Sequence, residues 1–81
     1  MKRLPQLKED QLIETIGNGK VVLFFTADWC PDCRFIKPAM PEIEQDFSDY
    51  TFYEVDLDEN IHVAAELNVF GIPSFIVYDN G

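Results

Sequence analysis

Five consecutive apolar residues, Val21 to Phe25, run without a polar break into Thr26, and Cys30 and Cys33 follow directly after. A strand with one wet face alternates apolar and polar residues. An unbroken, partly β-branched run of this kind instead marks a strand covered on both faces. Such a strand needs a layer above it and a layer below it. The chain has 81 residues to supply them, which predicts a single domain over 1–81. A chain this short buries only ~60% of the surface its unfolded form exposes, so its core has little margin.

The layers can be read from the flanking segments. Residues Lys2 to Leu7 suit a short edge strand, because Pro5 cannot donate to a central ladder. Leu12, Ile13 and Ile16 share one helical face, and Gly17-Asn18-Gly19 stops that helix. From Pro31 to Phe47 the spacing of Ile36, Met40, Ile43 and Phe47 predicts a helix. Thr51–Leu57 reads as a second interior strand. Asn60–Leu67 reads as a helix with Asn60 as its N-cap. Ser74–Tyr78 is a further strand, and Asp79-Asn80-Gly81 signals a turn. Strands alternating with helices give an α/β sheet with at least one right-handed crossover.

Charge narrows the partners. The net charge is −9, and all six Lys and Arg lie within residues 1–37. From Pro38 onward there are ten acids and no Lys or Arg. Such a surface repels phosphate backbones and anionic lipid, which argues against nucleic acid and membrane partners. Met1-Lys2-Arg3 is not followed by an apolar signal-peptide segment, and Val21–Phe25 is too short to span a bilayer. The expected setting is the cytoplasm.

The cysteines carry the reactive chemistry. In a reducing compartment a structural staple is disfavoured, and so short a closed loop would stabilise the fold little. A metal site needs about four ligands, and only His62 remains to join the pair. A redox pair fits better, since spacing i, i+3 at a helix start brings the sulfurs within bridging reach. Free N–H groups and the helix dipole favour an anion there, so a Cys in that place ionises more easily. Pro31 suits the first helical turn. Cys30 is expected to be the outer, exposed sulfur and Cys33 the shielded one.

Trp29-Cys30-Pro31-Asp32-Cys33 after an apolar strand, Pro38 in the next helix, Asp58 after the next strand, and Gly71-Ile72-Pro73-Ser74 together resemble the thioredoxin family. The resemblance runs from about Leu7 onward. It implies a mixed central sheet with helices on both faces, here lacking the C-terminal strand and helix. It implies Cys30 as nucleophile, Cys33 as resolving thiol, Trp29 as the flanking tryptophan, and Pro73 as the cis-proline with Ile72 presenting backbone to a bound peptide. The implied activity is reduction of protein or small-molecule disulfides through a Cys30/Cys33 cycle. An NADPH-dependent thioredoxin reductase would restore the dithiol, and no cofactor need bind the chain. The rival readings are a non-catalytic binding module of the same fold, or a disulfide oxidase or isomerase.

Two departures from the family pattern stand out. Pro31-Asp32 replaces the usual Gly-Pro and resembles thioredoxin-related proteins with narrower substrate sets. The charge of Asp32 opposes ionisation of both Cys30 and Cys33, and Arg34 and Lys37 act against it. Phe24 and Glu54 stand where the family places a buried Asp and a Lys, which makes Glu54 a candidate proton acceptor. Finally, the uncharged strand Ser74–Tyr78 looks like an open edge, and a homodimer through it or through the uncovered sheet face is expected.

Overall fold

The computed structural model describes residues 1–8, 11–17 and 19–80. Strands β1 (Lys2–Arg3), β2 (Lys20–Thr26), β3 (Thr51–Asp56) and β4 (Ser74–Asp79) alternate with helices α1 (Leu12–Ile16), α2 (Pro31–Ile36), α3 (Met40–Asp46) and α4 (Ile61–Glu66). They form a four-stranded sheet in the order β1-β3-β2-β4. β1, β3 and β2 are parallel, and β4 returns antiparallel to β2. The fold is therefore the expected α/β, thioredoxin-like one, and among the described residues β4 is its last element.

The apolar run does what its composition demands. Every residue from Val21 to Thr26 is buried. Leu23 and Phe25 face one cluster with Leu4, Leu7, Ile16, Val55, Val63 and Ala64, which brings in α1 and α4. Val22 and Phe24 face the other way, onto Met40 and Phe52, with Ile36 and Ile43 packed alongside. Two layers thus cover β2, α1 and α4 on one side and α2 and α3 on the other.

Several expectations are corrected. The helix over Pro31–Phe47 is interrupted by a 3-10 turn at Lys37–Ala39. Pro38 lacks the N–H that a continuous α-helix needs and crowds the preceding turn. Phe47 falls beyond the end of α3 and is 53% exposed. Ile13 does not join the buried face of α1; Leu12 and Ile16 do, and Ile13 points to water. The α1 stop holds at Gly17, whose φ of 72° suits a residue without a side chain. Asn18 and Gly81, parts of two expected turns, lie outside the described residues.

Asn60 precedes α4 but makes no side-chain cap. Its Oδ1 accepts from the Leu7 N–H at 2.8 Å and its Nδ2 donates to the Pro5 carbonyl at 3.1 Å. Fully buried, it ties the N-terminal segment to the sheet instead.

The α2–α3 face continues past Phe24 to Phe75, whose ring stacks on it at 4.9 Å between centroids. An apolar groove of about 340 Å3 runs there between Val22, Ile36, Phe47 and Val77. Among the described residues no helix is long and apolar enough to cross a membrane.

Candidate active site

β2 ends at Thr26, and a turn through Asp28 and Trp29 delivers Cys30 to the head of α2. The turn closes with the Cys30 N–H donating to the Ala27 carbonyl at 3.1 Å. Cys30 is the N-cap, with extended backbone at φ −90°, ψ 110°. Pro31 follows in the first turn, where a missing N–H costs nothing. One turn into the helix, the Cys33 N–H donates to Cys30 Sγ at 3.2 Å. The sulfur does the capping that a Ser or Asp oxygen does elsewhere.

Both thiols are free. They pack with Ala27, Leu57 and Ile72. Cys33 is fully buried, and Cys30 keeps 4% exposure. Cys30 is thus the outer sulfur only by a narrow margin, which corrects the expectation of an open thiol. Ile72 covers it, with its carbonyl 3.9 Å from Sγ. The Ile72–Pro73 bond is cis. The expectation of easier ionisation is corrected as well. Burial pushes the Cys30 thiol above its ordinary value of 9.0, the neighbouring Cys33 thiol adds to this, and the Cys33 N–H works in the opposite direction. Removal from water outweighs the helix-start donors.

Around the pair, Pro31 and Asp32 are exposed, and Trp29 is 58% exposed. The indole Nε1 donates to Asp58 Oδ2 at 3.0 Å. The Asp58 N–H in turn donates to Asp56 Oδ1 at 2.8 Å, and Asp56 Oδ2 accepts from Arg3 at 3.1 Å. Reading along the chain gave Arg3 and Asp56 no part near the site. Their bond spans 53 residues, and no local pattern signals it.

Glu54 pairs in register with Phe24 and shares the α2–α3 side of the sheet with Phe52. Its carboxylate lies 3.0 Å from Lys37 Nζ and 3.7 Å from Arg3 Nη1. Lys37 directly follows α2, the helix that carries Cys33. His62 sits on α4, across the sheet from α2, and is half-buried; its Nε2 is enclosed without a hydrogen-bond partner among the described residues. No group of three or more His, Cys, Asp or Glu among the described residues is arranged to hold a metal ion.

The thioredoxin family model matches residues 4–81. The chain belongs to the thioredoxin family. It is 38% identical over 82 residues to a thioredoxin from Mycoplasmoides gallisepticum, covering all of this chain and 80% of that one. It is 39% identical over 72 residues to a thioredoxin from Geodia cydonium, covering 89% of this chain and 68% of that one. Against thioredoxin H5 of Arabidopsis thaliana it spans only 52% of the relative's length. The structure of Plasmodium falciparum thioredoxin superposes with a TM-score of 0.85 at 30% identity, covering the whole chain and 78% of that protein. A thioredoxin-like thiol–disulfide oxidoreductase activity through the cysteine pair follows from this membership.

Proposed function

We propose that the protein reduces disulfides of proteins or small molecules, with Cys30 as nucleophile and Cys33 as resolving thiol. The observation that carries this is the capped pair: Cys30 Sγ held by the Cys33 N–H at 3.2 Å, facing the Ile72 carbonyl at 3.9 Å. The Cys30 thiolate attacks one sulfur of the substrate disulfide. The substrate S–S bond breaks, a mixed disulfide forms, and the departing sulfur takes a proton. The Cys33 thiolate then attacks Cys30 Sγ, and the second substrate sulfur leaves. Two electrons pass to the substrate, and a Cys30–Cys33 disulfide remains. The Cys33 N–H that supports the Cys30 anion is in place before the first attack.

Around this centre, Trp29, Pro31 and Asp32 form the substrate-facing rim, and Ile72 and Pro73 offer backbone to a bound peptide. Glu54 is the proton acceptor for Cys33 in this reading, supported by its place on the α2 side of the sheet beside Lys37. An NADPH-dependent thioredoxin reductase regenerates the dithiol, and the cytoplasm is the compartment. A second copy pairs along β4, as argued below.

Turnover of hydroxyethyl disulfide with dithiothreitol as reductant tests the reading. Cys30→Ser abolishes it, and Cys33→Ser accumulates the mixed disulfide. Turnover by the Cys30→Ser variant equal to the parent's would leave only a binding module.

A further inference from the structure

The edge strand β1 is only two residues long, yet its second residue reaches the rim of the cysteine pair. The backbone sets Arg3 in place. It lies opposite Glu54 in the β1–β3 register, and the next residue, Leu4, is fully buried, with its N–H donating to the Glu54 carbonyl at 2.8 Å. From there the guanidinium gathers three carboxylates. Nη2 donates to Asp56 Oδ2 at 3.1 Å and to Glu59 Oε1 at 2.8 Å, and Nη1 lies 3.7 Å from Glu54 Oε2. Glu54 also has Lys37, but Asp56 and Glu59 have no other ion-pair partner among the described residues.

Asp56 uses both of its oxygens. Oδ2 takes Arg3, and Oδ1 accepts the Asp58 N–H at 2.8 Å, a turn in which an aspartate side chain fixes the backbone two residues on. That turn stands beside the one that leads to Cys30, because the Leu57 N–H donates to the Thr26 carbonyl at 2.8 Å. It brings the Asp58 carboxylate to the Trp29 indole, 3.0 Å from Nε1. Trp29 directly precedes Cys30 and has most of its surface in water, so this hydrogen bond does more than packing to fix the ring. Without Arg3, Asp56, Asp58 and Glu59 would crowd one turn with no cation on it, and like charges that close repel.

We propose that Arg3 is a positioning residue for disulfide reduction: acting through Asp56 and Asp58, it holds the Trp29 indole in one orientation beside Cys30, ready for a polypeptide substrate. A loose indole must be immobilised by each substrate that rests on it, and that cost falls on KM and not on the chemical step. The proposal rests on the disulfide-reductase reading and adds a residue of the edge strand to that site.

Trp29 is the only tryptophan, so its fluorescence reports this ring alone. The test compares the reduced parent with Arg3→Met, Asp58→Ala and the double variant. One readout is acrylamide quenching of Trp29. The other is kcat and KM for a disulfide-bonded peptide and for hydroxyethyl disulfide, with dithiothreitol as reductant. Arg3→Met should increase quenching. It should also raise KM for the peptide by ~3–10-fold relative to that for hydroxyethyl disulfide, the weight of one immobilised side chain, with the change on KM and not on kcat. Asp58→Ala should do the same. The double variant should lie within ~2-fold of Asp58→Ala, because both substitutions cut one chain of bonds. Quenching and a KM ratio equal to the parent's in Arg3→Met overturn the proposal, and so do additive effects in the double variant. If Arg3→Met does not fold, Asp56→Asn takes its place. It leaves Arg3 its other two carboxylates, and whichever way the new amide turns, one of the two Asp56 links is lost. Quenching equal to the parent's in that variant overturns the proposal as well. A parent that fails to reduce hydroxyethyl disulfide counts against the reductase reading instead, and the quenching comparison then decides whether Arg3 holds the indole.

Discussion

The backbone N–H of Cys33 donates to Cys30 Sγ across 3.2 Å, so each cysteine has a defined duty before any substrate arrives. The outer sulfur is capped by the inner residue's amide, while the inner thiol is fully buried. Brief, limiting alkylation with iodoacetamide should therefore label Cys30 ahead of Cys33. Mass spectrometry of the peptides reads this directly, and dominant labelling of Cys33 would exchange the two roles.

Burial raises the Cys30 thiol above its ordinary 9.0, and the adjacent Cys33 thiol pushes in the same direction. The thiolate fraction grows as pH rises, so the alkylation rate of Cys30 should climb with a midpoint above that value. Cys33→Ala removes the neighbouring thiol but keeps the backbone donor, so the midpoint should move down. Stability of the reduced protein has the matching sign. The Cys30 contribution is full below the ordinary thiol value and is lost as pH rises through the raised one. A midpoint unmoved by Cys33→Ala would show that burial alone sets the thiol.

Asn60 is fully buried and joins Leu7 N–H and Pro5 carbonyl to the start of α4. Asn60→Ala leaves both backbone groups without a side-chain partner, at a cost of ~1–3 kcal/mol for each one left buried and unsatisfied. Urea denaturation should show a lower midpoint for the variant. A change under ~0.5 kcal/mol, within the range of an ordinary surface substitution, would mean that water replaces the amide.

Much of this was legible in the chain. The run Val21–Phe25 announced a doubly covered strand because burial on both faces leaves no place for a polar residue. The cysteine spacing and Pro31 announced the head of α2 because both are local rules. What escaped depends on distant contacts or on competing effects. The break at Pro38 was hidden because Ile36, Met40 and Ile43 keep an apolar face across it. Asn60 carries the composition of a cap, but the N-terminal segment claims its amide. Exposure of Cys30 could not be read at all, since Ile72, far along the chain, covers the sulfur. The chain from Arg3 through Asp56 and Asp58 to Trp29 depends on two such long-range bonds, Arg3 to Asp56 and Trp29 to Asp58, joined by a local one between Asp58 and Asp56.

Glu54 offers a sharper test of the site. In the register of the sheet it stands opposite Phe24, and Lys37 holds its carboxylate at 3.0 Å on the side that carries α2. If it takes the proton from Cys33, Glu54→Gln should slow release of substrate from the mixed disulfide near neutral pH. The first attack by Cys30 should be nearly unchanged. Rapid-mixing kinetics with a chromogenic disulfide separates the two steps. Equal release rates for variant and parent across pH 6–8 would remove Glu54 from the mechanism, and the structural ion pair with Lys37 would be its whole role.

The last prediction concerns β4, which pairs with β2 on one side and forms the edge of the described sheet on the other. Ser74 to Tyr78 carries no charge, and Phe75 and Val77 are 41% and 59% exposed on the same face. An open, uncharged, apolar edge is a template for another strand. Antiparallel pairing of two copies about a twofold at Ile76 sets Phe75 of one copy opposite Val77 of the other. Asp79 then meets Pro73, so no like charges face each other along the strip. The net charge of −9 on each copy opposes approach, and salt screens it. The protein should therefore be a mixture of monomer and dimer whose dimer fraction rises with salt. Val77→Lys should hold it monomeric by placing cations at the paired face. Sedimentation velocity at micromolar protein in low and high salt reads both effects. A monomer at every salt concentration would show that this edge stays unpaired, and a salt-dependent dimer that survives Val77→Lys would place the contact on another surface.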